Sequence, residues 1–419
     1  MPASHAPLPD PPMFRGFPRK LALRLIAGGD LRASDAQVQW FRRFAQAGDP
    51  LADALVDEMR TLPAGHGRRL FEQALEAGID TVAQPPPALA AFFENVEAVP
   101  YWVDRAKLDL AARAITRTGL IGVYGPLADI ALIGGYLDSR PAKVLVRAGD
   151  LERKAASRLS ETANWWVEVT SPGGLERSAA GYRGTARVRL THAHIRAAMN
   201  RRDDWNYEDW DDPVNQIHTV GTLILFSVVF TAGLRMLGFR FSTEERGAIF
   251  HLWRYVGYLM GVDAELLPTD ENDAWRITWL EAATEFIPDE DSHRLAQALI
   301  AASNEFHGLT GDDPATRLAG WILASLHASY TRLALGNHNA DQLGVPNRPP
   351  FHAAVIALAG ANFALETART RIPGANRLSV LIGDHTRRAA MRRVTRQTGA
   401  DLTYTREDTA PAKSSSQAA

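Results

Sequence analysis

Apolar residues recur at intervals of three and four along nearly the whole chain from Arg19 to Thr398. That is the period of an amphipathic helix, and Ala, Leu and Arg, all good helix formers, dominate these stretches. Strict alternation is scarce. Ala186 to Leu190 alternates briefly, then runs on into an Ala-rich helical pattern. The pattern predicts helices over 34–47, 50–61, 66–78, 87–97, 104–119, 122–137, 148–170, 184–200, 214–238, 242–261, 272–285, 290–305, 314–335, 351–370 and 376–397. No Pro/Gly/Ser linker divides the middle of the chain, so an all-α fold with one large helical domain over 19–398 is expected. Residues 1–18, rich in Pro, are expected to form a flexible segment, and 399–419 a disordered tail.

Several boundaries carry their own chemistry. Asp35 and Asp49-Pro50 read as helix starts, the second with Pro at the first helical position. Ser171-Pro172-Gly173-Gly174 must end the helix that holds Trp165 and Trp166. Asp211-Asp212-Pro213 is expected to open the next long helix, and Ser242 with Glu245 forms a capping box. Asp289-Glu290-Asp291 is acidic, as suits a helix N-terminus, and reads as a cap rather than a metal site.

Composition narrows the function by exclusion. In 419 residues Lys plus Arg is 46 and Asp plus Glu is 48, a balance that gives no global attraction to nucleic acid. Cysteine is absent, which removes disulfides, thiolate catalysis, Fe–S clusters and Cys-ligated zinc together. Any haem must also be held without a thioether link. HExxH, GxSxG, the P-loop and the dinucleotide glycine fingerprint are all missing from the sequence. The start of the chain has no apolar signal region. Thr219 to Leu234 is uncharged but, at 16 residues, short of the ~20 needed to cross a bilayer. It reads as a buried helix. The expectation is a cytoplasmic protein without a transmembrane segment.

Two helices carry the candidate chemistry. In Arg187 to Arg196, His192 and His194 point roughly 200° apart and cannot share a metal. His192 shares an apolar face with Val188, Ile195 and Met199, flanked by Arg189 and Arg196. One imidazole, an apolar floor and two cations at the rim suit a haem, with arginines for its propionates. The same pattern also fits a partly buried histidine on an amphipathic helix. On the preceding helix Arg158, Glu161 and Thr162 lie on one face. Beside an iron centre they would serve as acid, base and hydrogen-bond donor. Alone, Arg158 with Glu161 is a surface salt bridge worth about 0.3 kcal/mol.

An ordered set of short motifs adds a resemblance. Gly48-Asp49-Pro50-Leu51-Ala52-Asp53-Ala54 is followed by Ile133-Gly134-Gly135-Tyr136, then Arg158-x-x-Glu161-Thr162. Arg189-Leu190-Thr191-His192-Ala193-His194-Ile195-Arg196 comes next, then Pro213-Val214-Asn215-Gln216, Gly221-Thr222-Leu223 and Phe226-Ser227. Last are Trp253 to Val262 and Glu265-Leu266-Leu267-Pro268. Over residues 48–270 this order resembles the latex clearing protein (rubber oxygenase) and MpaB-type oxygenase family.

The resemblance implies a globin-like helical core with one non-covalent haem b. It places the proximal iron ligand on His192, within R-L-x-H-A, rather than on His194. It places the polar trio R-x-x-K-T on Arg158 and Thr162, with Glu161 where the family has Lys. Glu161 can accept a proton but offers none once ionised. The implied reaction is O2-dependent cleavage of an isoprenoid-like or other apolar alkene, with the Thr219–Leu234 helix lining the pocket. Arg158 and Thr162 would orient the oxygen species and Glu161 would manage a proton. The absence of an export signal argues against polymeric latex as substrate. Two further readings stay open. One is a haem peroxidase, peroxygenase or sensor using Glu161 as base and peroxide as partner. The other is a helical binder of an apolar ligand without haem.

Overall fold

Asp49 shows how the chain writes its helices. Its carboxylate accepts the Ala52 amide at 3.2 Å and Pro50 follows at the first helical position, so the helix Pro50–Thr61 starts where the residues demand. The computed structural model describes residues 6–14, 29–147, 151–309 and 311–400. In chain order the helices are α1 (Asp35–Arg42), α2 (Pro50–Thr61), α3 (His66–Ala77), α4 (Pro87–Glu97), α5 (Arg105–Thr116) and α6 (Gly119–Gly135). Then come α7 (Ser139–Arg147), α8 (Leu151–Val169), α9 (Ala180–Met199), α10 (Gln216–Met236) and α11 (Thr243–Leu259). Last are α12 (Glu271–Thr284), α13 (Glu290–His307), α14 (Pro314–Leu335), α15 (Pro349–Arg369) and α16 (Ala375–Thr398). Among the described residues there is no strand, only an isolated bridge between Pro7 and Ser34. The all-α expectation holds.

The differences from expectation are local. Helix α7 lies where no helix was expected, and the stretch 34–47 tightens into a 3-10 turn after Arg42. Asp211-Asp212-Pro213 does not start α10. Asn215 caps it instead, accepting the His218 amide at 3.0 Å, because Asp211 is drawn into ion pairs with Arg42 and Arg140. Helices α6 and α10 each contain a π-helical stretch, Val123–Leu132 and Leu225–Val229, and these pack on one another. Pro126 sits inside the first, where its missing N–H cannot join a regular α ladder. Residues 6–14 lie against the fold, with Phe14 buried and the Trp279 indole N–H donating to Asp10 at 3.3 Å. The tail 401–419 lies outside the described residues.

The long central helix α8 packs against α9, α13 and α16, and one apolar core runs from Phe14 to Val394. Trp166 on α8 and Phe230 on α10 meet with ring centres 4.8 Å apart at its centre. Truncating either to Ala would cost about 3–5 kcal/mol. Helix α10 is 21 residues long, apolar enough to cross a membrane by length, but 67% of its most apolar window is buried, as expected of a core helix. Helix α15 also has the length and composition for a span, which the sequence reading did not find, and only 11% of its window is buried.

The C-terminal half holds a separate histidine cluster. The His327 Nδ1 lies 2.6 Å from the buried Asp129 carboxylate, and His307 lies against both His327 and Tyr124. Burial, then His327 and Arg393, pull His307 down to about 3. Its folded pKa lies below the unfolded value of about 6.5, so only the unfolded chain takes the proton as pH falls. Stability is therefore lost between pH ~6.5 and ~3. Urea unfolding of wild type and His307→Phe at pH 7 and pH 4 should show wild type losing about 3 kcal/mol more than the variant. Equal losses would contradict the assignment.

Candidate functional site

A cavity of about 460 Å³ opens between α6, α8, α9, α10, α12 and α13. It falls within the roughly 300–1,000 Å³ of small-ligand and cofactor sites. Its walls are mostly apolar, with Trp165, Val188, Ile195, Leu225 and Phe226 among them. Glycines make room for it: a Cβ at Gly135 would meet Leu225 at 2.9 Å. The interlocked rings of Trp165, Phe226 and Trp253 stiffen the wall between α8, α10 and α11.

Four residues singled out from sequence meet in this lining: Arg158, Glu161, Thr162 and His192. The α-helical period explains the first three, which stand one turn apart on α8. Ser157 donates its hydroxyl to Glu161 Oε1 at 3.1 Å. The buried Arg158 Nη1 has no acceptor among the described residues. Tyr136, also in the lining, is pushed up to about 12 by burial and stays a neutral phenol. His192 is pulled down to about 4, first by burial and then by Arg196, against a smaller pull from Asp49. Its imidazole is therefore neutral at pH 7, the form in which a ring nitrogen ligates a metal. His194 lies outside the lining.

Arg189 and Arg196 do not act as expected. Neither lines the cavity. Arg189 donates to both oxygens of Asp49, at 2.6 and 3.0 Å, and to Asn95 at 2.8 Å. Arg196 grips Asp53 at 2.6 Å and the Val214 carbonyl at 2.6 Å. The rim role for propionates is corrected to a clamp, because the buried Asp49 and the half-exposed Asp53 carboxylates already pair with the two guanidiniums. Asp49, the cap of α2, and Asp53 in its first turn stand one turn apart, and Arg189 and Arg196 two turns apart on α9, with His192 between them. Gly48 and Gly261 let the pairs close: a Cβ would meet Asp53 at 2.7 Å and Asp49 at 2.3 Å respectively, and Gly261 also has φ +77°. Asp49→Ala would leave Arg189 buried and unpaired. It is expected to cost about 3–5 kcal/mol in urea unfolding, and a loss under ~1 kcal/mol would contradict the clamp.

The sequence reading missed a second polar pole. Asp138, His218 and Glu285 each bring one ligand atom within 4.8 Å of the others, and Glu281 lies beside them. Arg42 and Arg140 each donate to a different oxygen of Glu285 at 2.8 Å and both pair with Asp211. Each Glu285 oxygen thus accepts from an arginine, while His218 Nδ1 and Glu281 Oε1, both buried, have no hydrogen-bond partner among the described residues. Burial, then the Glu285 charge, push Asp138 and Glu281 well above the carboxylate range. Burial holds His218 down at about 3. The one sequence signal was Glu281 within the apolar run Ile277 to Ala282.

The donor set fits a haem. It offers one neutral imidazole with no protein hydrogen bond among the described residues, an apolar enclosure and an unsatisfied guanidinium nitrogen. Residues 121–370, more than half of the chain, match the family described as ER-bound oxygenase mpaB/B'/Rubber oxygenase, catalytic domain. The chain belongs to this oxygenase family. A rubber oxygenase of Streptomyces sp. (strain K30) is 21% identical over 283 residues, 66% of this chain and 64% of that relative, under two thirds of its length. The structure titled latex clearing protein LCP in the closed state superposes with a TM-score of 0.59 at 18% identity. The superposition covers 83% of this chain and 88% of that one, a likeness of fold. The family match takes in α6 to α15, and with them the residues that line the cavity. The Asp49 and Asp53 clamp residues lie outside it.

Proposed function

We propose that this chain is a haem b-dependent oxygenase that cleaves an apolar, isoprenoid-like alkene with O2. The observation that carries this reading is the meeting of neutral His192 with Arg158, Glu161 and Thr162 in one largely apolar cavity. His192 would hold the iron, and Val188 and Ile195, on the same face of α9, would contact the macrocycle. Bound haem supplies the redox chemistry that activates dioxygen.

The chain's own residues supply the rest. The apolar walls bind the alkene and exclude water. The unpartnered Arg158 Nη1 and the Thr162 hydroxyl donate hydrogen bonds to oxygen atoms of the reacting species. Glu161, oriented by Ser157, takes an allylic proton and returns it before product leaves. One alkene and one O2 give two carbonyls, so no net proton or external reductant is consumed. Asp138 and Glu281, whose carboxyls burial and then the Glu285 charge push well above the usual carboxylate range, also line the cavity.

A second reading is favoured by one feature: a carboxylate beside a guanidinium is also the pair that assists peroxide cleavage, so Glu161 could serve a peroxygenase. Dependence of turnover on H2O2 rather than O2 would select it. The first test is the visible spectrum of purified protein with a pyridine haemochrome assay. A Soret band with about one haem b per chain is expected. A protein colourless even after haem is supplied would discard both readings and leave a helical binder of apolar ligands.

A further inference from the structure

Helix α15 is built inside out. Val355, Ala359, Asn362 and Glu366 recur at helical spacing on the face turned to the protein. Val355 and Glu366 are buried, and the Ala359 carbonyl approaches Gly238 so closely that a Cβ there would meet it at 2.1 Å. Asn362 donates to the Leu237 carbonyl at 2.8 Å, and Glu366 accepts the Arg240 amide at 3.1 Å and pairs with Arg369. Ile356 and Phe363 flank this face on one side and Leu358 and Leu365 on the other, exposed by 62, 53, 58 and 69%, and the outermost arc between them is exposed Ala357, Gly360, Ala361 and Ala364. A helix on a water-facing surface has the reverse polarity. The apolar face widens onto α14, where half-exposed Trp321 meets Phe351 with ring centres 5.4 Å apart. Soluble monomers rarely leave so large a contiguous apolar surface uncovered.

Charge chooses between occupants. From Pro349 to Ile382 the only acid is Glu366, which is buried and paired, while Arg369, Arg371 and Arg377 are basic. Arg371 and Arg377 are exposed, make no ion pair among the described residues, and sit beside exposed Ile372 and Leu378. A second copy docked on this face would gather arginines without partners. Anionic headgroups neutralise them while acyl chains receive the leucine and phenylalanine side chains.

We infer that the outer face of α15, with its arginine-bearing C-terminal edge, is a docking surface for an anionic lipid bilayer. The helix lies in the interface rather than spanning it, because Asn362 and Glu366 tie its inner face to the protein. At 21 residues it presents about 31 Å of apolar edge. This surface stands apart from the chemistry of the cavity.

Flotation of the full chain with phosphatidylcholine vesicles, with and without phosphatidylglycerol, tests it. Wild type should float with the phosphatidylglycerol vesicles and release at high salt. Phe363→Glu combined with Leu365→Glu should abolish flotation with unchanged circular dichroism. Arg371→Gln and Arg377→Gln should each weaken it by about fivefold. No flotation of wild type, or flotation unaffected by both sets, would overturn the proposal. So would a wild-type dimer that the Glu variants make monomeric without any vesicle binding, since the face would then be a subunit interface.

Discussion

Replacing His192 with alanine is expected to abolish haem binding while leaving the helical fold in place. The side chain projects into a cavity, so its loss removes no packed core group. Its partners in orientation, the Arg189–Asp49 and Arg196–Asp53 pairs, remain to hold α9. A Soret absorbance reduced to background, with wild-type circular dichroism, is the predicted outcome. Only one other described imidazole lines the cavity, that of His218. His218 sits in the carboxyl cluster with Asn215 Nδ2 3.4 Å from its Nε2. His218→Ala should therefore keep its haem. Supplying free imidazole to His192→Gly should restore the band. Equal haem in wild type and His192→Ala would remove the ligand assignment.

Glu161→Gln separates proton transfer from binding. Glutamine keeps the shape, and its carbonyl can still accept from the Ser157 hydroxyl that meets Glu161 at 3.1 Å. It cannot take a proton. Haem content should equal that of wild type, and turnover should fall by roughly 10²–10⁴-fold, the usual worth of a positioned general base. If kcat were unchanged, Glu161 would have no proton to move. If haem were lost along with activity, its role would be structural.

The parts of this fold that sequence disclosed are those written within one or two helical turns. Asp49-Pro50 and Ser242 with Glu245 cap helices as read, because a cap needs only its own next three residues. Arg158, Glu161, Thr162 and the face of His192 were legible for the same reason. What stayed hidden depends on distant partners. The carboxylates that claim Arg189 and Arg196 lie 140 and 143 residues away, so the arginines read as free cations for a ligand. The cluster of Asp138, His218, Glu281 and Glu285 spans three separate helical segments and has no local pattern. Periodicity in α15 reports which residues share a face. It cannot say which face meets the protein, so the outward apolar side emerged only from the packing. The π stretch around Pro126 was read as ordinary helix, since a proline's cost is resolved by the helix it packs on.

The central claim is that this cavity joins O2 to an apolar alkene, and isotope tracing tests it most directly. Haem-loaded protein would be incubated with an isoprenoid alkene under 18O2, and carbonyl products reduced at once to alcohols to prevent exchange with water. The account predicts that O2 is consumed one-for-one with double bonds cleaved and that both new carbonyls carry 18O. Products whose label comes only from added H2 18O2, or no cleavage by fully haem-loaded protein across a panel of apolar alkenes, would contradict it.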